Sequence, residues 1–336
     1  TLMPQRRRAA LILLLLALAA LASVLVSLGV GSLALGPGEV LRALGGSGDD
    51  LAGEVVRTLR LPRALAGLAC GGLLALAGAL MQVLLRNPLA DPYVLGISGG
   101  ASVGALLTML LGLPLVMLHA GAFAGALAAM LLVFGLAHGD GSWTQTRLLL
   151  TGVIVAAGCG ALVALLLAIA PEQELRGMLF WMMGDLTPAE TPWAALVLLV
   201  VTLLGLQPFA RDLGLLARGE LAAQALGVPV ARLRLLIYLL ASLLTATAVS
   251  VAGSIGFIGL IVPHLVRLGM RSTAGNDQRL LLPASALAGG ALLVVADSLA
   301  RTVMAPQQLP VGVLTALLGV PVFLYLLSHQ PHERSA

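Results

Sequence analysis

The stretch Ala9–Leu35, AALILLLLALAALASVLVSLGVGSLAL, decides the class of this protein, because it runs for 27 residues without a charged side chain. A helix that crosses a bilayer needs about 20 mostly apolar residues. Arg6, Arg7 and Arg8 precede the stretch, as in a signal peptide, but the apolar run is longer than the roughly 7–15 residues of a signal-peptide core. We therefore interpret it as an uncleaved first membrane span.

The whole chain has the composition of a membrane protein. Of its 336 residues, 59% are hydrophobic and 10% are charged, whereas an ordinary globular chain carries about 25% charged residues. All 19 basic residues are arginine, and the missing lysine excludes a phosphate-loop ATPase site and Schiff-base chemistry within this chain. Cys70 and Cys159 lie in apolar runs without a CxxC partner, so neither a disulfide framework nor a metal site is predicted.

Further apolar stretches follow the first, so the sequence predicts an all-α, polytopic membrane protein of about ten transmembrane helices. The predicted spans are Ala9–Leu35, Ala64–Leu84, Val94–Leu111, Leu115–Ala137, Arg147–Ile169, Trp193–Phe209, Leu233–Ala252, Ile255–Leu268, Leu280–Ala300 and Val311–Leu327. An even number of spans places both termini on one side of the membrane. The positive-inside rule makes that side the cytoplasm, because only six of the 19 arginines would then lie outside: Arg42, Arg57, Arg60, Arg63, Arg176 and Arg301.

Two segments interrupt the apolar pattern, one in each half of the chain. The first is Asn87–Pro92, NPLADP, and the second is Ser254–Leu268, which contains Gly256, Gly259 and Pro263. Non-helical backbone at membrane depth is tolerated only where it is buried in protein or lines a cavity, since lipid offers it no hydrogen bonds. Corresponding interruptions in two halves are typical of an inverted repeat around a transport pathway. The sequence therefore predicts such a repeat.

Two predicted loops contain short amphipathic segments. The longest cytosolic loop, 210–232, has a short helix between Gly219 and Gly227, GELAAQALG. This helix either lies on the membrane surface or docks in a groove of a partner protein, and the residues alone leave both possibilities open. The external segment 171–186 contains three methionines and Trp181, which fits an interfacial helix or a surface that repacks around a large cargo.

The predicted outer side also carries a pattern of arginines. Arg57, Arg60 and Arg63 recur at every third residue, and Arg301 follows Asp297 by four. An ion pair between Asp297 and Arg301 within one helix is the simpler explanation of the second pattern. The functional alternative is a basic rim that binds the carboxylates of a partner protein, for which the guanidinium group is well suited.

Five short motifs occur in order along the chain and carry a family resemblance. They are Arg60-Leu61-Pro62-Arg63, Asn87-Pro88-Leu89-Ala90-Asp91-Pro92 with Leu95-Gly96-Ile97-Ser98, Gly256-Phe257-Ile258-Gly259-Leu260-Ile261-Val262-Pro263-His264, Ala296-Asp297-Ser298-Leu299-Ala300-Arg301 and Leu309-Pro310-Val311-Gly312. From about Val56 to Leu327, the chain resembles the permease family for iron chelates, haem and cobalamin in bacterial ABC importers.

This resemblance implies a single permease domain over residues 1–336 that forms a homodimer in the bacterial inner membrane, with the substrate path along the dimer interface. Membrane lipid is a further expected partner. A cytosolic ATPase dimer would bind ATP and Mg²⁺, and a periplasmic binding protein would deliver the substrate. The chain itself would be no enzyme, and it would hold no cofactor and bind no nucleic acid. Haem is preferred as the substrate over a ferric siderophore or cobalamin. An ion- or proton-coupled secondary transporter is the alternative function.

Carried over residue by residue, the resemblance implies three sets of functional residues. The binding protein would dock on Arg60, Arg63 and Arg301. The coupling helix, within the cytosolic segment 210–232, would contact the ATPase through Gly219, Glu220, Ala222, Ala223, Leu226 and Gly227. The gate and pathway would comprise Asn87, Leu89, Gln145 and Thr146, together with Met178, Trp181, Met182 and Gly184 of an external gating helix, 171–186.

Overall fold

The structure is a computed structural model that describes residues 2–31, 35–46, 51–137, 144–187, 192–270, 277–305 and 307–328. In these residues the regular structure is helical, and no β-strand occurs among them. In chain order the α-helices are α1 Leu2–Gly29, α2 Pro37–Leu44, α3 Leu51–Glu54, α4 Leu61–Leu84, α5 Ile97–Leu110, α6 Leu115–Ala137, α7 Gln145–Ile169, α8 Glu172–Met182, α9 Trp193–Leu206, α10 Ala210–Arg218, α11 Glu220–Ala225, α12 Val230–Ala252, α13 Ile258–Gly269, α14 Gln278–Thr302 and α15 Val311–Ser328.

Ten of these helices have the apolar character of membrane segments. In the described residues, seven helical stretches are long and apolar enough to cross a bilayer, and they contain α1, α4, α6, α7, α9, α12 and α14. Three shorter apolar helices are α5, α13 and α15. The prediction of an all-α, polytopic protein with about ten such helices is thereby confirmed.

The short helices α5 and α13 are short because each begins after a break in the chain. The carboxylate of Asp91 accepts a hydrogen bond from the Tyr93 N–H at 2.8 Å, which starts a 3-10 turn over Pro92–Leu95. That turn ends at Gly96, whose φ of 74° lies in the left-handed region. Before α13, Phe257 has a φ of 71°. The predicted third and eighth spans therefore began about three residues too early.

Helix α4 lies at the centre of the bundle. The helical stretch Leu51–Leu84 has 89% of its most apolar window buried, and α4 packs against α9, α12, α13 and α14. Glycines make these contacts close, because a Cβ added to Gly71 or Gly78 would overlap the backbone of Gly289 or Gly259, respectively. Close backbone approach of this kind supports helix association in a bilayer, where apolar surface alone gives no preference for protein over lipid.

The remaining helices surround this centre and define two ends of the bundle. Helix α1 packs on α14, and the pair α5 and α6 packs on α7 and α12. One end, here the α8 end, holds α8 together with the first turn of α4 and the last turn of α14. The opposite end, here the α10 end, holds α10 and α11 together with the last turn of α4 and the first turn of α7.

Candidate functional site

The two interruptions of the chain meet inside the bundle. The Tyr93 hydroxyl donates a hydrogen bond to the Ile255 carbonyl at 2.9 Å and accepts one from the Ile255 N–H at 3.1 Å. Beside this pair, the hydroxyls of Ser98 and Ser254 lie 2.9 Å apart. One tyrosine therefore satisfies both backbone groups of a residue in the other interruption, which is the protection that non-helical backbone needs away from water.

This contact lies near the middle of the bundle. A Cβ added to Gly259 would lie 2.9 Å from the Leu74 carbonyl oxygen and 3.1 Å from Cδ of Pro92, and Leu74 is close to the midpoint of α4. The segment from Asn87 to Gly96 therefore leads from the last turn of α4 back to mid-height before α5 begins. We call residues 92–98 and 253–259 together the central seam.

Helix α8 covers the central seam from one end of the bundle. Asp185 donates its backbone N–H to the Ala252 carbonyl at 2.9 Å, at the last residue of α12. Gly184, which has a φ of 81°, leaves no room for a side chain, because a Cβ there would lie 2.8 Å from the Ser254 carbonyl oxygen. A Cβ added to Gly253 would come even closer to the Trp181 carbonyl oxygen. The end of α8 is thus in backbone contact with the seam.

The side chains predicted to form the external gate point inward to different degrees. Met178 is fully buried and Trp181 is 5% exposed, whereas Met182 is half-buried. The structure therefore places Met178 and Trp181 within the packing between α8 and the bundle. On the exposed face of α8, the guanidinium group of Arg176 lies 5.8 Å from the ring centre of Phe180. The gating role of these residues stays a prediction.

The predicted gate residues at the α10 end lie close to one another. The Gln145 amide donates to the Leu84 carbonyl at 2.9 Å, at the last residue of α4, and its oxygen accepts from the Arg86 guanidinium at 3.3 Å. Asn87 follows directly and closes a turn by accepting from the Leu89 N–H at 2.9 Å. Thr146 is exposed beside Gln145. The structure therefore brings the first turn of α7 to the start of the first interruption.

The arginines at the α8 end form a buried ion cluster. Asp297 is 2% exposed and lies between Arg63, whose Nη2 is 2.8 Å from a carboxylate oxygen, and Arg301, whose Nε is 3.1 Å from the other. The Arg63 contact includes hydrogen bonds to both carboxylate oxygens, whereas the Arg301 Nε makes an ion pair without hydrogen-bond geometry. Arg63 also donates to Thr187 and Gln308 at 2.9 and 3.0 Å.

Arg60 and Arg301 also bind the end of α1. Arg60 is 6% exposed and donates to the Leu28 carbonyl at 2.7 Å, and Arg301 donates to the Ser27 hydroxyl at 2.8 Å. The last carbonyls of a helix lack partners within it and carry partial negative charge, so cations stabilise them. The structure thus gives all three predicted docking arginines partners within the chain, and their role in binding a second protein stays a prediction.

The predicted coupling helix projects from the α10 end. Its core is α11, where Glu220 forms an ion pair with Arg234 at 2.9 Å and Ala223 is buried against the chain. Leu221 and Leu226 are 83% and 58% exposed. Ala222 and the flanking glycines Gly219 (half-buried) and Gly227 (exposed) complete the turn.

Leu221 is the most exposed large apolar residue of the predicted coupling helix, although the sequence did not single it out. The helix has only six residues, so the sequence shows that Leu221 is apolar but not whether it faces the bundle or the solvent. Only the burial of Ala223 and the pairing of Glu220 identify Leu221 as part of the free face.

No candidate metal site emerges from the described part of the chain. Within it, no group of three or more His, Cys, Asp and Glu side chains is arranged to hold a metal ion. The side-chain ion pairs of these residues include the cluster at the α8 end and the Glu220–Arg234 pair at the α10 end.

Comparison with known proteins agrees with this architecture. The model of the FecCD transport family matches residues 16–329. The hemin transport permease HmuU of Yersinia pestis is 44% identical over 300 residues, which cover 86% of this chain and 87% of the relative. The vitamin B12 import permease BtuC of Salmonella typhi is 40% identical over 328 residues, 96% of either chain.

A solved structure supports the same assignment at the level of the fold. An inward-facing metal-chelate-type ABC transporter superposes with a TM-score of 0.81 at 32% identity, over 96% of this chain and 100% of that one. The family match spans both interruptions, the ion cluster and the predicted coupling helix. The chain therefore belongs to the FecCD transport family and is a multi-span permease of the ABC importer type.

Proposed function

We propose that this chain is the permease subunit of an ABC importer that moves a bulky iron chelate or tetrapyrrole into the cell, driven by ATP hydrolysis in a partner subunit. Haem is the proposed substrate, ahead of cobalamin and ferric siderophores. The relatives support both haem and cobalamin, since the hemin permease of Yersinia pestis and a cobalamin import permease of Halobacterium salinarum are each 44% identical to this chain.

The observation that carries this proposal is the central seam. Two non-helical segments from opposite halves of the chain are bonded to each other at mid-height through Tyr93 and Ile255. A seam held by few hydrogen bonds between packed helix groups can part when those groups rock against each other, which is a common basis of alternating access. In this proposal α8 gates the seam at one end, and Asn87, Leu89, Gln145 and Thr146 gate it at the other.

The exposed face of α11 supports an ATPase partner. Two leucines that are 83% and 58% exposed, Leu221 and Leu226, flank the only buried residue of the turn. Such a short apolar projection fits a groove on another protein. The Glu220–Arg234 ion pair fixes α11 to the start of α12, so movement of the partner would be passed to the bundle. ATP and Mg²⁺ would be bound by that partner.

The burial of α7 supports a second copy of the chain. Only 17% of the most apolar window of this helix is buried, against 89% for the stretch that contains α4. We propose that two copies meet with the substrate path between them, in the bacterial inner membrane with both termini in the cytoplasm. A periplasmic binding protein would dock at the α8 end, where Arg60, Arg63 and Arg301 outnumber Asp185 and Asp297.

The described residues give no support to an ion-coupled transporter. Such a transporter needs an acidic side chain that can bind and release its coupling ion inside the membrane. Asp297 is the acid within a predicted span, and it is already paired with Arg63 and Arg301.

Reconstitution tests the proposal. The permease is placed in proteoliposomes with its ATPase partner, the binding protein is added on the opposite side, and uptake of haem, cobalamin and a ferric siderophore is measured. We expect ATP-dependent uptake, with haem transported fastest. An ATPase that binds but does not hydrolyse ATP is the matched control. Uptake that persists with this inactive ATPase, or without any ATPase, would refute the importer mechanism, and a different order of substrates would refute the preference for haem.

A further inference from the structure

A cavity at the α10 end has an unusual concentration of positive charge. It measures about 180 Å³ and lies between α10 and the bundle, lined among others by Arg86, Arg218 and Arg267. No acidic residue is among the described side chains that line it. In the described part of the chain, Arg218 and Arg267 form no ion pair, and the nearest partner of Arg86 is the neutral amide of Gln145. Arg86 and Arg218 are exposed and Arg267 is half-buried, and like charges gathered around one cavity repel one another unless an anion joins them.

The same cavity contains buried hydrogen-bond acceptors that lack donors. Gln82 and Gln278 line it and are 4% and 3% exposed, and the side-chain oxygen of each has no hydrogen-bond partner among the described residues. The orientation of the Gln82 amide is fixed, because its nitrogen donates to the Leu260 carbonyl at 3.1 Å. A buried acceptor without a donor destabilises the fold, because it has lost its hydrogen bonds to water. The cavity therefore calls for a ligand with hydroxyl donors as well as negative charge.

The position of the cavity indicates where such a ligand comes from. Three of its lining residues lie at helix ends: Arg86 two residues after α4, Arg267 in the last turn of α13 and Gln278 at the first position of α14. The ends of membrane helices lie at the depth of the lipid headgroups. Guanidinium groups bind phosphate through paired hydrogen bonds, and basic pockets between membrane helices are a known mode of headgroup recognition.

We propose that this cavity binds a phosphate group that carries hydroxyl donors, as in the headgroup of phosphatidylglycerol. The phosphate would accept from the three arginines, and the glycerol hydroxyls would donate to Gln82 and Gln278. Arg218 belongs to α10, whereas the other ligands belong to the bundle. The bound headgroup would therefore hold α10 against the bundle. This inference concerns the permease alone and stands independently of its substrate and its ATPase.

Binding is tested with the purified full-length permease in neutral detergent. The probes are dioctanoyl phosphatidylglycerol, dioctanoyl phosphatidylcholine and inorganic phosphate at constant ionic strength, and the readouts are the Kd from native mass spectrometry and the shift in Tm. We expect saturable binding of phosphatidylglycerol. R218Q should raise its Kd about tenfold or more, because hydrogen bonds to charged groups are the strong ones. R211Q, on the same helix but outside the cavity, should leave the Kd unchanged.

Each result decides a specific part of the proposal. Binding of inorganic phosphate with the same dependence on Arg218 would support the site and identify a free phosphate as its ligand. Equal binding of phosphatidylcholine, or equal losses in R218Q and R211Q, would overturn it. Q278M gives an independent check, since it should raise the Tm of the lipid-free protein and weaken phosphatidylglycerol binding. A lower Tm in Q278M would overturn the assignment of an unpaired acceptor.

Discussion

Replacing Asp297 by Asn tests the ion cluster at the α8 end. The carboxylate of Asp297 is 2% exposed and lies within 3.1 Å of guanidinium nitrogens of both Arg63 and Arg301. The substitution keeps the shape of the side chain and removes its charge. Two arginines would then face each other in a site where their side chains are only 12% and 9% exposed, without the anion between them.

The expected cost follows from this burial. Removing one partner of a buried ion pair destabilises a protein by about 3–5 kcal/mol, because an uncompensated charge remains. Arg63 keeps hydrogen bonds to Thr187 and Gln308 after the substitution, so we place D297N at the lower end, about 3 kcal/mol. Asp185 offers a matched control, because it lies 3.8 Å from the same guanidinium group but is 27% exposed. D185N should cost less than about 1 kcal/mol.

The measurement is the free energy of unfolding in mixed micelles, with SDS as the denaturant and tryptophan fluorescence as the signal. A double-mutant cycle with R301M isolates the pair, and we expect the cost of D297N to fall when Arg301 no longer carries a charge. If D297N lowers the free energy of unfolding no more than D185N does, or if the effects of D297N and R301M are additive, the ion cluster does not stabilise the fold.

Two further predictions concern the coupling helix and the helix packing. L221D should abolish stimulation of ATP hydrolysis by the permease while leaving Tm within about 2 °C, because Leu221 is 83% exposed and its loss leaves no cavity. The control is L41D, at a leucine that is 67% exposed at the other end of the bundle. Full stimulation of ATP hydrolysis in L221D would contradict the docking face. G78A should destabilise the fold by about 1–3 kcal/mol or prevent folding, because the new methyl group would overlap the Gly259 backbone. In G135A the new methyl group meets no atom within 4 Å, so this control should be neutral or stabilising in the same SDS titration. Equal stabilities of the two variants would contradict the close approach of α4 to Gly259.

The sequence was sufficient to identify the class of the protein and the approximate number of its apolar membrane helices. Apolar runs of about 20 residues are a local property, and so are the proline and glycine residues that break them, for example between Asn87 and Gly96. The order of the short motifs was sufficient to identify the family. Boundaries at the breaks were less accurate, because the start of α5 depends on a turn closed by Asp91, which apolar content does not report.

The tertiary structure alone decided how these parts meet. The sequence offered an ion pair between Asp297 and Arg301 as one explanation, but it gave no sign that Arg63, 234 residues away from Asp297, shares the same carboxylate. Nor did it show that Tyr93 reaches across 162 residues to Ile255 to join the two interruptions. Hydropathy and motifs are read along the chain, whereas these contacts depend on how helices from its two halves pack together, and only the folded bundle specifies that.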